Sequence, residues 1–437
     1  MKQVTLLAPL LLACLANIRA ELYTVVDLGG EGSKPRPYAL NSSGVAVGYT
    51  DSGYGTALVF DGNGSFTNLG SLDPTGNWRS ATATGINDSG VIVGRAAVES
   101  GGYHAAIFSG TGFGNVDLGT LSAVDWYLSG AQAVNASGTV VGWAERDDRR
   151  IHATRFSGTG TGNIDLGTLG GDESQATAIN ASGVIVGNSR LPGDFEPNWK
   201  AVRYGQTPAG NKDLGTLGGR TSNASAINDK GVIVGAAEVL FKASGQKAYF
   251  THAVIFSGTG TGNTDLGTLY PGAGSYAYGI NNSGVIVGSA GTDAAHNFRN
   301  HAFVYRDGRM RDLNSLVSPK SGRVFTEAFA INNKGQIAVV GSLNGNGRAF
   351  RLDPVEPPPS NEITATARPL LYGKIGGSGN FEKGIGTYKK GKTVSVIAYP
   401  KNKRKFVKWI EKGKTVSLKA VYTFTVTGDR KLVAVFK

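Results

Sequence analysis

The stretch Ala178-Ile179-Asn180-Ala181-Ser182-Gly183-Val184-Ile185-Val186-Gly187 decides the fold of this chain, because versions of it recur six more times. The Asn before each turn stands at positions 41, 87, 135, 180, 228, 281 and 332, with spacings between 45 and 53 residues. Such a period is typical of solenoids and β-propellers. β-Branched runs bounded by Asn-x-Ser-Gly are strand and turn signals, and no helical apolar period accompanies them. The sequence therefore predicts an all-β fold.

Each repeat unit contains four short segments, as in Ala226-Ile227-Asn228, Val232-Ile233-Val234, His252 to Phe256 and Asp265 to Gly267. Four strands per unit predict one propeller blade. A lone blade would leave one apolar face in water, so neighbouring units must stack face to face. We therefore expect the Val-Ile-Val runs to form the packing surface between blades.

The number of segments predicts how the repeats close. The seventh unit ends at Arg348-Ala349-Phe350, and no Asp-Leu-Gly segment follows it before Pro354. A surplus segment of that kind, Thr24 to Gly29, precedes the first Asn segment. We predict a seven-bladed β-propeller closed by Thr24–Gly29, which supplies the outer strand of the last blade and leaves no open sheet.

Loop lengths predict which face carries function. Each Asn lies three residues before its turn Gly, whereas the loop after the Val-Ile-Val strand ranges from six residues after Gly341 to sixteen after Gly235. Aromatic residues collect in or beside these variable loops, namely Trp78, Trp126, Tyr127, Trp143, Phe195, Trp199 and Tyr276. Two interpretations stay open, since large rings are usually buried at junctions and can also form a platform for sugar rings or a protein segment.

The N-terminal residues 1–20 are typical of a secretory signal. Met1-Lys2 precedes a thirteen-residue apolar run, Val4 to Ala16, which is too short to span a bilayer. We expect cleavage near Ala20 and an exported protein, extracellular or at the cell surface. Cys14 is the only cysteine, so the mature chain would have neither cysteine catalysis nor a cysteine metal site. A lipid anchor on Cys14 is an alternative to free export.

The chain divides into domains by composition. We predict the propeller over residues 21–353, a stiff Pro-rich linker over 354–361, and a small basic module over 362–437. Residues 363–437 hold seventeen Lys and Arg against three Asp and Glu, a net charge of +14, which leaves −2 for the rest of a chain whose total is +12. A polyanionic envelope or matrix polymer is the partner that this charge favours. Nucleic acid is not expected for an exported protein.

Two family resemblances follow from these segments. Asp165 to Gly171, Ala178 to Gly187 and His252 to Phe256 resemble the bacterial extracellular HAF repeats over residues 22–352, a family without established catalytic residues. The first and seventh units differ, with Thr56 and Arg348 in place of His. Segments from Tyr372 to Val426 are similar to the divergent internalin-type B-repeat, which implies a β-grasp-like module at the bacterial surface with Phe406 and Trp409 in its core.

Three sets of residues suggest chemistry that other features disfavour. Gly386 to Thr393 satisfies the P-loop pattern, but Val394 to Ile397 reads as a strand where a helix is required.

One His per unit recurs at positions 104, 152, 252 and 301. We expect each of them to bond a neighbouring turn, because separate blades hold them too far apart to share zinc. The Asp before Leu-Gly recurs at positions 117, 165, 213 and 265, which indicates structure and not catalysis. His296 has no ligand partner at metal spacing.

The sequence favours a secreted or surface-retained binding protein without catalysis, cofactor or metal, which we expect to be a monomer. Its variable face would bind an extracellular glycan or protein, and the basic module would aid attachment. A propeller-type polysaccharide hydrolase or lyase is one alternative, for which the unrepeated carboxylates are Asp125, Glu145, Asp194 and Glu196. A structural coat or matrix component is the other.

Overall fold

The computed structural model describes residues 22–30, 34–51, 55–76, 80–110, 114–124, 126–193, 199–243, 246–292, 300–318, 322–355, 360–377 and 381–437. The predicted signal segment, Trp78, Asp125, Asp194, Phe195, Glu196 and His296 lie outside these ranges. Two compact units divide after Val355. The described helices are single 3-10 turns, and none is long and apolar enough to cross a membrane.

The first unit consists of seven four-stranded antiparallel sheets, so the prediction of an all-β fold is confirmed. An N-terminal strand, β1 (Tyr23–Gly29), precedes them. Sheet 1 contains β2 (Arg36–Leu40), β3 (Ala46–Thr50), β4 (Thr56–Phe60) and β5 (Phe66–Asn68). Sheet 2 contains β6 (Ala81–Ile86), β7 (Ile92–Ala97), β8 (Tyr103–Phe108) and β9 (Val116–Asp117). Sheet 3 contains β10 (Ser129–Val134), β11 (Val140–Glu145), β12 (Ile151–Phe156) and β13 (Ile164–Asp165). Sheet 4 contains β14 (Ser174–Ile179), β15 (Ile185–Arg190), β16 (Trp199–Arg203) and β17 (Lys212–Asp213).

The remaining sheets follow the same order. Sheet 5 contains β18 (Gly218–Ile227), β19 (Ile233–Ala243), β20 (Gln246–Phe256) and β21 (Thr264–Asp265). Sheet 6 contains β22 (Ser275–Ile280), β23 (Ile286–Gly291), β24 (Asn300–Arg306) and β25 (Arg309–Asp312). Sheet 7 contains β26 (Arg323–Ile331), β27 (Ile337–Leu343) and β28 (Asn346–Pro354), and its fourth strand is β1.

The N-terminal strand completes the seventh sheet, which is the pairing that the segment count predicts. β1 runs antiparallel to β28 from the Tyr23–Pro354 pair to the Gly29–Ala349 pair. Arg348 Nη1 donates to Asp27 Oδ2 at 2.7 Å, and Val355 N donates to Leu22 O at 2.8 Å. Pro354, at the start of the predicted linker, is therefore still part of β28.

Apolar clusters join the sheets in a closed cycle. One buried cluster fills each junction between consecutive sheets. Another fills the junction between sheets 7 and 1, where Leu28, Leu40, Ala46, Leu58 and Ala338 are buried together. Val-Ile-Val residues such as Ile185 and Val186 are buried in these junctions, which confirms the expected packing surface. Burying one such side chain contributes roughly 1.5 to 3 kcal/mol.

The repeated Asn links neighbouring sheets. Within its own turn, Asn180 Oδ1 accepts from Val184 N at 2.9 Å, while its Nδ2 donates to Asn228 O of the next sheet at 3.2 Å. The same sheet-to-sheet bond runs from Asn87, Asn135, Asn228 and Asn281 to the Asn of the following sheet. Asn332 Nδ2 donates to Asn41 O at 2.9 Å, which carries the series from sheet 7 to sheet 1. The Asn-x-Ser-Gly segments are hairpin turns, as the sequence predicts.

A β-bulge interrupts the first strand of every sheet. In sheet 4 the register shifts between Ala176 and Ala178, so Thr177 has no partner on β15. In sheet 4, glycine is required opposite the bulge, because a Cβ on Gly187 would lie 2.0 Å from Gln175 O. Gly48, Gly94, Gly142, Gly235 and Gly288 stand at equivalent sites with gaps between 1.8 and 2.0 Å. Sheet 7 has Val339 opposite the Phe329 bulge, and its Gly341 lies beside a second bulge at Thr326. In sheets 1 to 6, the glycine at this site therefore permits a bulge that turns one side chain away from the ladder.

The second unit contains two sheets. Five strands form the order β31 (Ile385–Lys389), β29 (Ser360–Arg368), β36 (Arg430–Phe436), β33 (Phe406–Glu411) and β34 (Lys414–Ser417), with β29 and β36 parallel. Three strands form the order β30 (Gly373–Gly377), β32 (Thr393–Pro400) and β35 (Val421–Thr425). Trp409 is fully buried and Phe406 packs against the same core. The described part of this unit has no α-helix, so the β-grasp likeness stops at its strands. The P-loop-like segment lies in β31, β32 and the turn between them.

Candidate functional site

The bulges bring one side chain from every sheet to a shared cavity. The unpaired bulge residues are Tyr38, Thr84, Gln132, Thr177, Ser225, Tyr278 and Phe329. All of them line a cavity of about 550 Å³. Since first strands of all seven sheets contribute, these strands are the innermost ones and the cavity lies at the centre of the cycle. Each of these first strands begins at the variable-loop end and ends at its Asn turn.

Aromatic rings form one side of this cavity. Tyr38 stacks on Tyr49 with ring centroids 5.5 Å apart, and Phe329 meets Tyr38 edge-on at 5.2 Å. Tyr278 stacks on Phe329 at 5.7 Å and on Tyr276 at 6.4 Å. We call these five residues the aromatic shelf. It spans sheets 1, 7 and 6, so it exists only because sheet 7 packs against sheet 1.

The opposite side of the cavity is polar and almost uncharged. Its lining residues from sheets 2 to 5 include Thr82, Thr84, Gln132, Thr177, Asn223 and Ser225. Thr84 Oγ1 donates to Ala131 O and Thr177 Oγ1 donates to Ala224 O, each at 2.7 Å. Arg95 is the charged residue of the described lining. We call this side the polar wall.

Charges at the shelf are paired. Arg36 Nη1 donates to Glu327 Oε2 at 3.5 Å between sheets 1 and 7. Burial, together with the hydrogen bond to Tyr49, raises the pKa of Tyr38 well above its ordinary value, and burial also raises the pKa of Tyr278. Both phenols therefore stay protonated at neutral pH. The shelf offers neutral hydroxyl groups beside apolar ring faces.

A side pocket of about 400 Å³ adjoins the cavity at the variable-loop end and shares Asn223 with it. Trp199 and Tyr276 both line this pocket, together with Gln175 and Asn188. The Arg190 guanidinium lies over the Trp199 ring, 5.1 Å from its centroid. The structure thus brings two of the predicted aromatic residues together beside the cavity.

The other predicted aromatic residues lie elsewhere. Trp126 is 49% exposed and stacks on Tyr127 at 4.5 Å, and the Arg149 guanidinium lies over the Trp126 ring, 4.7 Å from its centroid. Tyr127 is buried, and its hydroxyl donates to Asp147 O. Trp143 packs over Gly130, where a Cβ would lie 3.0 Å from the indole. Trp78 and Phe195 lie outside the described residues.

Sequence reasoning missed Tyr38, Tyr49, Tyr278 and Phe329. A signal for three of them exists, since the bulge residue stands three positions before each repeated Asn. That position varies from Tyr to Thr, Gln, Ser and Phe, whereas its neighbours stay small or aliphatic. A variable residue inside an otherwise constant strand is not needed for packing. It therefore marks a side chain that faces the cavity.

The repeated His and Asp form pairs within sheets. His104 Nδ1 lies 2.8 Å from Asp117 Oδ2, and because an ionised carboxylate only accepts, the ring nitrogen is the donor. Equivalent pairs at 2.7 to 2.9 Å join His152 to Asp165, His252 to Asp265 and His301 to Asp312. The structural role of the repeated His agrees with the prediction, but its partner is the Asp carboxylate at the end of the outer strand of the same sheet and not a turn. Arg348 and Asp27 replace the pair in sheet 7. Lys200 stands at the His position of sheet 4, a departure that sequence reasoning missed.

The pKa values of these pairs follow from their contacts. Burial alone would raise the pKa of the Asp265 carboxyl, but hydrogen bonds from His252 and Gly267 N hold it below its ordinary value. The same balance of burial and hydrogen bonds lowers the pKa of the Asp165 and Asp312 carboxyls. The hydrogen bond to Asp312 raises the pKa of His301. Glu145, a carboxylate considered for catalysis, accepts from Leu128 N at 3.0 Å and so holds a strand end.

We expect the His301–Asp312 pair to stabilise the fold in a limited pH window. The raised pKa of His301 gives stability that is complete below about pH 6.5 and is lost as pH rises through the folded-state value. The lowered pKa of Asp312 gives stability that is complete above about pH 3.8 and is lost on further acidification. The free energy of unfolding should therefore differ most between wild type and His301→Gln from about pH 4 to 6.5. Urea melts from pH 3 to 9 measure this, and a difference independent of pH would contradict it.

Comparisons with known families cover the two units separately. Residues 371–437 match the family model described as the divergent InlB B-repeat domain. The C-terminal unit carries this domain, as predicted. Residues 173–349, which span sheets 4 to 7, match a family described as protein of unknown function (DUF3466). The resemblance to HAF repeats has no matching family model. No curated protein and no solved structure matches the chain.

Proposed function

We propose that the first unit is a closed seven-bladed β-propeller that binds a glycan without catalysis. The cyclic packing of seven four-stranded sheets and the β1–β28 pairing support the propeller. Pairing every sheet with two neighbours removes open faces and places the innermost strands around one central cavity. That cavity is the proposed binding site.

The aromatic shelf facing the polar wall is the observation that carries glycan binding. Sugar rings present apolar C–H faces, which pack on Tyr and Phe rings, and hydroxyl groups, which bond to amides and hydroxyls such as those of Gln132 and Asn223. A cavity of about 550 Å³ has the size of a small-ligand site. Trp199 and Tyr276 in the side pocket extend the same surface for a longer chain.

The carboxylate pair of a glycoside hydrolase is not among the described residues that line the cavity, and Glu327 nearby is paired with Arg36. This supports binding over hydrolysis. The divergent B-repeat domain is compatible with a surface or extracellular protein, and its basic charge supports attachment to an anionic envelope or matrix polymer. Retention on cell envelopes that falls steeply as sodium chloride is raised would support this role, and retention independent of salt would contradict it.

Glycan arrays probed with the full chain, followed by calorimetry on the hits, test the cavity. Tyr278→Ala or Phe329→Ala should weaken binding by about tenfold or more, because each removes a ring from the shelf. Tyr270→Ala is the control, since Tyr270 is 43% exposed and is not among the residues described as lining the cavity. Silent arrays, or hits that all three variants retain, would contradict glycan binding at the shelf.

A further inference from the structure

Another pocket lies at the Asn-turn end of sheets 3 and 4, where the turn length is the same in every repeat. It has a volume of about 610 Å³. The turn of sheet 4 contributes Ser182, Gly183 and Val184, and the loop after β16 contributes Gly205, Gln206 and Gly210. This pocket shares no described lining residue with the central cavity or with the side pocket.

Three cations line this pocket. Arg155 comes from sheet 3, whereas Arg203 and Lys212 come from sheet 4, and all three are exposed. The described lining contains no Asp or Glu, and no described residue forms an ion pair with any of the three. Arg351, at the equivalent position of sheet 7, is by contrast held by Asp353 at 2.7 Å. The pocket is therefore an uncompensated positive site.

Sheet 4 differs from the other sheets in carrying two charges at the outer-strand pair formed by Arg203 and Lys212. Arg203 stands directly opposite Lys212 on the neighbouring strand, and like charges in that arrangement destabilise an antiparallel pair. Other sheets hold at least one uncharged residue there, as in the pairs Ile107–Val116, Arg155–Ile164, Ile255–Thr264, Val59–Thr67, Val304–Arg311 and Arg351–Val26. Sheet 2 shows that an aliphatic pair suffices for folding. The two charges of sheet 4 are thus not explained by structure.

The loop that connects the two outer strands of sheet 4 also differs from the loops at this place in other sheets. Sheets 2, 3 and 5 connect their outer strands by Ser-Gly-Thr-Gly segments, as in Ser157 to Gly160, whereas sheet 4 has Gly205-Gln206-Thr207-Pro208-Ala209-Gly210. Ile164, 43% exposed, offers an apolar face beside the cations. A ligand that fits has an acidic group and an apolar ring face, which is the chemistry of an acidic saccharide.

We propose that the pocket between sheets 3 and 4 binds an acidic saccharide, with its carboxylate or sulfate group at Arg155, Arg203 and Lys212 and its ring against Ile164. This site is independent of the proposed cavity site, so either can fail alone. Its position at the Asn-turn end sets it apart from the central cavity and from the side pocket at the variable-loop end.

Calorimetry on the full chain tests the site with four probes, namely a galacturonic acid trimer, a sulfated trisaccharide, neutral maltotriose and inorganic sulfate. The variant Arg203→Ile/Lys212→Val recreates the aliphatic pair of sheet 2, so it should fold with equal or higher stability. It should lose at least about tenfold in affinity for the acidic trimer or the sulfated probe. The probe that binds identifies the acidic group.

The variant Arg309→Gln/Lys334→Gln is the control, because it removes two charges from exposed positions of sheets 6 and 7 that are not among the described lining of this pocket, and it should leave this affinity unchanged. Equal binding of maltotriose, binding of inorganic sulfate alone, or affinity that survives Arg203→Ile/Lys212→Val would overturn the proposal. Should that variant fail to fold, arginine labelling of wild type by phenylglyoxal decides the matter. The bound trimer should protect Arg155 and Arg203, and unprotected labelling would overturn the proposal as well.

Discussion

Leu28→Asp should unfold the first unit. Leu28 lies on β1 and is fully buried between sheets 7 and 1. A carboxylate there would lose its water without gaining a partner, at a cost of about 5 kcal/mol. That is comparable with the whole stability of many domains. Because β1 is also the fourth strand of sheet 7, its release would expose the edge of β28 and open the cycle.

Thermal melts followed by circular dichroism and tryptophan fluorescence measure this effect. Thr67→Asp is the control, since Thr67 lies on the outer strand of the adjacent sheet 1, is exposed, and pairs with the uncharged Val59. It should shift the melting temperature by only a few degrees. A separate transition of the C-terminal unit, which contains Trp409, should persist in both variants. Leu28→Asp melting like wild type would show that the N-terminal strand is not required, and the closed cycle would be wrong.

The pairing of the N-terminal strand with the seventh sheet could be predicted from the sequence because repeats can be counted. The missing Asp-Leu-Gly segment after Phe350 and the surplus one at Asp27 match without any knowledge of geometry. Burial of the Val-Ile-Val runs also follows from period and composition alone. The role of the repeated Asn does not, because its side-chain amide bonds the next sheet 45 to 53 residues away. A bond between chain-distant residues leaves no local signal beyond repetition.

The candidate site was harder to predict from the sequence, because the position of an aromatic residue on a loop does not show which surface its side chain faces. Trp126 fits the predicted pattern, yet it stacks on Tyr127 and is not among the described residues lining the cavity or the side pocket. Tyr38 and Phe329 lie inside strands that read as packing segments. They meet only after a bulge rotates each side chain and after sheet 7 closes on sheet 1. Neither step is visible in the spacing of either residue.

Gly288 connects the fold to the proposed site most directly. It lies opposite the bulge of β22, where a Cβ would come within 1.9 Å of Tyr276 O and 2.8 Å of the Phe303 ring. Gly288→Ala should therefore lower the free energy of unfolding by about 3 kcal/mol, because two packed groups must move. The moving backbone carries Tyr276 and Tyr278, so glycan affinity should fall by about tenfold or more in the molecules that remain folded.

Gly94→Ala separates these two effects. Its Cβ would come within 1.9 Å of Thr82 O, so the loss of stability should be similar, but the displaced bulge carries Thr84 of the polar wall and no aromatic ring. Urea melts and calorimetry at a temperature where both variants are folded compare the two. Equal loss of stability with a larger loss of affinity in Gly288→Ala is expected, since the stacked rings contribute more contact area than one hydroxyl. Equal affinities would show that ligand binding does not depend on the position of the aromatic shelf, although the bulge and its glycine would still be required for folding.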